Sequence, residues 1–154
     1  MDKKYSYGIL ALVVLFTFFF TKGMLGEGYP NGGDSVSHYD LLLNTIDALQ
    51  LFLKTGELRF WNPDYYFGFP MFFFYAPLPY FFLALLSLGT GIAPLSLFQW
   101  SIVLLFSALP LVFYTTGRLI HLEEEFSLGI ALFSTALSSK LVFGFEYYSF
   151  FATG

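Results

Sequence analysis

The sequence predicts an all-α, polytopic α-helical membrane protein, with about four transmembrane helices and an extracytoplasmic loop containing an amphipathic helix. Three observations predict it. Of 154 residues, 56% are hydrophobic and 12% charged, against about 25% charged in average soluble chains. Phe occurs 22 times and Tyr 11 times, more apolar surface than a soluble domain of this length can bury behind a wettable exterior. The apolar residues also gather into separate long runs, and the acids concentrate in one stretch between the first two.

The first run, Gly8 to Leu25, is 18 residues long, which just spans roughly 30 Å of hydrocarbon. Lys3 and Lys4 precede it, and Lys22 in its last turn can snorkel outward. A signal peptide shares the lysines and the apolar core, but no small-residue cleavage site follows; the chain continues KGMLGEGYPNGGD. The run therefore reads as a membrane anchor.

Residues 26–70 form the outer loop. Six acids against two bases give this stretch a charge of −4, equal to that of the whole chain. Turn residues open it. A helix is expected over 35–54, ended by Gly56, with Leu42, Ile46, Leu49 and Leu53 on an apolar stripe and Asp40, Asn44 and Asp47 on a polar one. Such a helix suits the membrane interface or the outer face of a bundle.

A second span is expected over 71–88. Pro63, Pro70, Pro77 and Pro79 disfavour regular helix before about Pro77, so its beginning should be irregular and buried against protein. Trp61, Tyr65, Tyr66 and Tyr75 are ring types that favour the water–lipid boundary. The GTGIAP segment is a turn, and Pro94 suits a first helical position. Residues 95–116 make a third span with a kink expected at Pro110, and residues 126–143 a fourth. The aromatic ending GFEYYSFFATG, with no charged tail, reads as the front part of a longer membrane protein.

Lysines at the start place the N-terminus in the cytoplasm. Strict alternation of four spans then puts 26–70 outside, GTGIAP inside and RLIHLEEE outside. The expected location is the cell membrane, with membrane lipids as partners. Nucleic acid is excluded as a partner because there is no basic patch. The absence of cysteine excludes disulfide frameworks and thiolate metal sites. Phosphate-binding loops, nucleophile elbows and HExxH are absent too.

Chemistry concentrates in GGDSVSHYD. Asp34 and His38 are four residues apart and would share one face of a first helical turn. An ionised Asp34 suits a base toward an incoming hydroxyl; as an alternative it is a helix N-cap. With a neutral His38 it could hold a metal or a phosphate-bearing ligand. The cofactor stays open, a divalent metal ion being one candidate, and no metal-ligand set is assigned. Asp40, Trp61, Tyr75 and Glu146 are candidates for substrate binding. Asp40 also fits a solvated face, and Trp61 an interfacial turn. Glu146 lies in an apolar aromatic stretch, where an ionisable group is costly and often functional; it also fits the end of a span.

Together these segments resemble a known family. A first span, then GGDSVSHYD outside, then a helix, then GELRFWNPDYYFGFPMFFFYAPLPYFFLALL is similar to the N-terminal part of GT-C superfamily membrane glycosyltransferases. The likeness is greatest to the prokaryotic, often archaeal, membrane proteins labelled "6-pyruvoyl-tetrahydropterin synthase-related". It rests on Asp34 and His38, Trp61 to Pro63, Gly68 to Pro70 and Tyr75 to Leu78, within residues 8–145. It implies a polyprenyl-phosphate-linked sugar as donor, transfer on the outer face, and Asp34 as the catalytic base. The second expectation, from a different class, is a non-catalytic polytopic membrane protein that shares only the architecture.

Overall fold

The structure, a computed structural model, describes residues 3–26, 28, 35–62, 68–70, 72 and 76–135. It is built from helices. They are α1 (Lys3–Thr21), continued by a 3-10 turn at Lys22–Leu25, α2 (Ser35–Thr55), α3 (Leu78–Thr90), α4 (Pro94–Leu119) and α5 (Glu124–Ser134). Between α2 and α3 two short strands, β1 (Trp61–Asn62) and β2 (Phe69–Pro70), pair antiparallel. The chain divides into two compact units, one of residues 1–32 and 99–154, the other of residues 33–98.

Local chemistry accounts for the helix ends. Gly56 stops α2 with φ +76°, its N–H donating to the Phe52 carbonyl at 2.8 Å. Gly91 closes α3 in the same left-handed conformation, φ +74°, with its N–H on Ser87 O. Only glycine enters that region without a Cβ penalty. Pro94 opens α4 as expected, because a first-turn residue has no helical acceptor to lose. Pro77 caps α3 and Pro79 sits in its first turn. The prolines thus delay regular helix to Leu78.

In the first unit, α1 and α4 run antiparallel. The Tyr7 ring meets Tyr114 edge-on at 6.3 Å, and the Phe18 ring stacks on Trp100, also at 6.3 Å. Gln99 Nε2 donates to the carbonyls of Gly26 and Gly28, at 2.9 and 2.8 Å. The order 7, 18, 26 on one side meets 114, 100, 99 on the other. Strict alternation of four spans requires these two helices to cross in the same direction, and the structure overturns that. Of the expected second span at 71–88, the described helix has 13 residues and is about 20 Å long; residues 71 and 73–75 of its expected irregular beginning lie outside the described residues.

The interior of this unit is lined with small and hydroxylated side chains. Ser6, Leu10, Val13, Thr17 and Thr21 are buried along α1, at spacings of four and three that keep them on one face. Ser127, Leu128, Ala131 and Ser134 are buried on α5, and Leu10, Tyr114, Leu128 and Ala131 form one apolar cluster. The hydroxyls satisfy themselves on their own helices: Thr17 donates to Val13 O at 2.8 Å, Thr21 to Thr17 O at 2.9 Å and Ser107 to Val103 O at 2.7 Å. Those three hydroxyls need no other partner, whereas Ser6 Oγ is buried without a hydrogen-bond partner. A Cβ on Gly117 of α4 would lie 2.8 Å from Ser127 Oγ and 3.2 Å from its Cα, so α4 and α5 cross in near-backbone contact.

The outside has the opposite character. Leu12, Phe16, Phe19, Leu104, Val112 and Phe133 are exposed, and Leu105 is 69% exposed. Among the described residues two helices, Lys4–Leu25 and Pro94–Leu119, are long and apolar enough to cross a membrane, and 28% of an apolar 18-residue stretch of each is buried. A soluble core helix would hide its apolar side chains; here many of them face out while Ser6, Thr17, Thr21 and Ser107 face in, a polarity that suits a hydrocarbon surrounding.

In the second unit α2 packs on α3. The buried face of α2 is Leu41, Leu42, Thr45, Ile46 and Ala48. Leu42 is fully buried, a side chain whose burial is worth about 1.5–3 kcal/mol. The expected stripe holds for Leu42 and Ile46, whereas Leu53 at its far end is exposed. The fourth expected span, 126–143, is represented by α5; residues 136–154 lie outside the described residues.

Candidate functional site

The candidate residues that can be placed, His38, Asp40 and Trp61, all lie in the second unit. His38 lies one turn into α2, and Tyr80 lies in the first turn of α3. Their side chains share a hydrogen bond of 2.5 Å between Nδ1 and the phenol oxygen, with the donor set by the imidazole tautomer. The rings are nearly parallel, 15° apart with centroids at 6.2 Å. Tyr80 is buried and His38 half-buried. A buried phenol needs a polar partner, and His38 supplies it.

Aromatic rings build outward from this pair. Phe72 lies 6.0 Å from Tyr80 and 5.7 Å from Phe81, and Phe60 meets Phe72 at 5.0 Å and Phe81 at 5.2 Å. These centroid separations fall in the favourable range for edge and offset contacts. They tie the segment after α2 to the start of α3. The neighbouring Tyr39 ring packs at 5.6 Å on Phe98, at the start of α4.

The Trp-x-Pro and Gly-aromatic-Pro segments pair with each other. Trp61 is opposite Pro70, and Asn62 opposite Phe69. Gly68 has φ +114°, and a Cβ there would fall 2.2 Å from a carbon of the Trp61 indole. The glycine is required twice over, for its backbone conformation and for the ring lying against it. Trp61 is otherwise 58% exposed, so its ring has one face on the glycine backbone and much of the rest available to solvent, lipid or ligand. Just before β1, Glu57 and Arg59 form an exposed ion pair, of the kind that contributes little to stability.

Asp40 is half-buried and turned along its own helix. Asn44 Nδ2 donates to its carboxylate at 3.2 Å and to its backbone carbonyl at 2.9 Å. Asp47 is exposed. Asp34, Tyr75 and Glu146 lie outside the described residues, so the expected pairing of Asp34 with His38 does too. Among the described residues no group of three or more His, Cys, Asp and Glu is placed to hold a metal ion.

Sequence reasoning missed Tyr80 and Phe72. Tyr80 is embedded in PLPYFF, where it reads as one more membrane aromatic. The signal that could have found it is its position just after two prolines, in a first helical turn, where a phenol has few local acceptors. The chain matches no protein-family model, no curated protein and no solved structure.

Proposed function

We propose that the chain is the N-terminal part of a multi-pass membrane glycosyltransferase of the GT-C kind. It transfers a sugar from a polyprenyl-phosphate donor to an acceptor on the outer face of the membrane, with the N-terminus cytoplasmic. The membrane part of this reading is supported by the exposed leucines and phenylalanines of α1 and α4 over a buried Ser/Thr lining.

One observation carries the enzymatic part. The sequence segments on which the resemblance rests are scattered over some forty residues, yet their described members fall within one compact unit. His38 is held by Tyr80, and Trp61 lies on Gly68. In this reading the Asp34 carboxylate accepts the proton of the acceptor hydroxyl as that oxygen bonds to the anomeric carbon and the donor phosphate leaves. His38 and Trp61 line the approach, and Tyr80 fixes the imidazole.

A non-catalytic membrane protein is the second reading. It is favoured by the way the polar groups bond to one another, Asp40 with Asn44 and His38 with Tyr80, as in a structural lock. Asp34→Asn in the complete protein separates the two, with membranes supplied with labelled polyprenyl-phosphate sugars. Asn caps a helix as well as Asp does but takes no proton. Loss of transfer by about 10²–10⁴-fold with unchanged thermal stability is expected. Near-normal transfer overturns the base role, and no transfer by the unmutated protein with any such donor favours the second reading.

A further inference from the structure

We infer that Ser6 and Glu124 form a binding site for a sodium ion in the first unit, at the end where α1 and α5 begin. The ion lies between the Ser6 hydroxyl and the Glu124 carboxylate, and water completes its shell.

Register brings the two side chains together. α4 runs antiparallel to α1. Gly117 of α4 lies against Ser127 of α5, while Tyr114, about one turn earlier, shares an apolar cluster with Ala131, one turn later. α5 is therefore antiparallel to α4 and parallel to α1. Leu10 of α1 and Leu128 of α5 belong to the same cluster. Ser6 is four residues before Leu10 and Glu124 four residues before Leu128, so each stands one turn beyond the cluster in the same direction. Tyr7 meets the Tyr114 ring edge-on, and Glu124, Tyr7 and Arg118 all act electrostatically on Tyr114.

Both oxygens lack what a buried oxygen needs. Ser6 is fully buried and its Oγ has no hydrogen-bond partner. Thr17 and Thr21, on the same face of α1, donate to carbonyls of their own helix; Ser6 does not. Glu124 Oε1 is likewise buried without a partner. Among the described residues these are the two such side-chain atoms, and they stand on neighbouring helices at one level. Buried polar atoms are seldom left unmet, and an ion or a water is the usual answer.

Charge selects the ion. The positive end of the α5 dipole accounts for an acid in the first turn, but it bonds neither Oε1 nor Ser6 Oγ. Arg118 gives its guanidinium to the Leu122 carbonyl at 2.6 Å. A bridging water would satisfy both oxygens yet leave the carboxylate charge beside helices apolar enough to cross a membrane, where unpaired charge is costly. A cation meets both needs. Carboxylate and hydroxyl are hard donors, which suit a hard ion. One carboxylate, with no group of three or more His, Cys, Asp and Glu among the described residues, matches a single positive charge. Ligand atoms sealed from solvent favour the smaller sodium over potassium.

The test is thermal unfolding of the detergent-solubilised protein in sodium, potassium or choline chloride at one ionic strength of about 0.15 M, so that screening is constant. The midpoint should be about 2–4 °C higher in sodium than in choline and should saturate as sodium is raised. Ser6→Ala and Glu124→Gln should each abolish that increment, and Glu123→Gln, at the exposed neighbouring acid, should keep it. If either of the first two fails to fold, Glu124→Asp retains the carboxylate one methylene further back and should need several-fold more sodium for half the effect. No sodium increment in the unmutated protein overturns the inference, and a loss of stability in Ser6→Ala that is equal in all three salts then assigns the place to water. An increment of the same size in potassium overturns the choice of sodium. An increment that survives both Ser6→Ala and Glu124→Gln, or an unchanged sodium requirement in Glu124→Asp, overturns the site.

Discussion

His38 and Tyr80 are 42 residues apart in sequence and share one hydrogen bond, so the first turn of α2 is fixed to the first turn of α3. Tyr80→Phe removes the hydroxyl and keeps the ring that packs on Phe72. It should lower stability by about 1 kcal/mol, as does His38→Gln, and the double variant should lose less than the sum, with a coupling of about 0.5–1.5 kcal/mol. Thermal unfolding in detergent of the four proteins measures it. Strict additivity would show that the bond contributes no energy.

Gly68 should tolerate no side chain. Gly68→Ala puts a Cβ into the Trp61 indole and asks alanine to hold φ +114°, a conformation that costs of order 1–3 kcal/mol. The β1–β2 pairing should open, and trypsin should cut several-fold faster at the exposed Arg59 just before it. Adding Trp61→Ala removes the overlap but leaves the backbone cost, so protection should return only in part. Full recovery would mean that φ is of no consequence there.

Gly117 and Ser127 set how closely α4 approaches α5. Gly117→Ala should destabilise by about 1–3 kcal/mol, the usual cost of an added methyl in tight packing. Ser127→Gly in the same chain opens the space and should recover most of that loss despite a glycine in helix α5. Thermal unfolding in detergent reads both. An unchanged Gly117→Ala protein would show that the helices part there without cost.

Much of the helical framework was legible in the sequence because helix ends are governed by neighbouring residues. Ser35 opens α2, Gly56 and Gly91 stop helices with their left-handed backbones, Pro94 starts α4, and the prolines before Leu78 postpone α3. Each depends on chemistry within a turn of the chain. Hydropathy likewise marked α1 and α4 as long enough to span, since that property belongs to a run of residues taken alone.

Relations between distant segments were not legible. Counting apolar runs assumes that each one crosses, and so it could not show that α1 and α4 run antiparallel. That was decided by which rings stack and by Gln99 reaching the carbonyls of Gly26 and Gly28. Nor does an apolar stripe say which face is inward when the surroundings are apolar as well. In the first unit Ser6, Thr17, Thr21, Ser107 and Ser127 are buried beside Leu10, Val13 and Leu128, because small side chains let backbones approach and hydroxyls can bond to their own helix. The bond between His38 and Tyr80, and the indole on Gly68, likewise exist only once the chain has folded. The sequence by itself determined the glycine stops and proline starts of the helices and marked α1 and α4 as long enough to span. Tertiary packing decided their directions and which polar groups meet, because those depend on contacts between residues far apart in the chain.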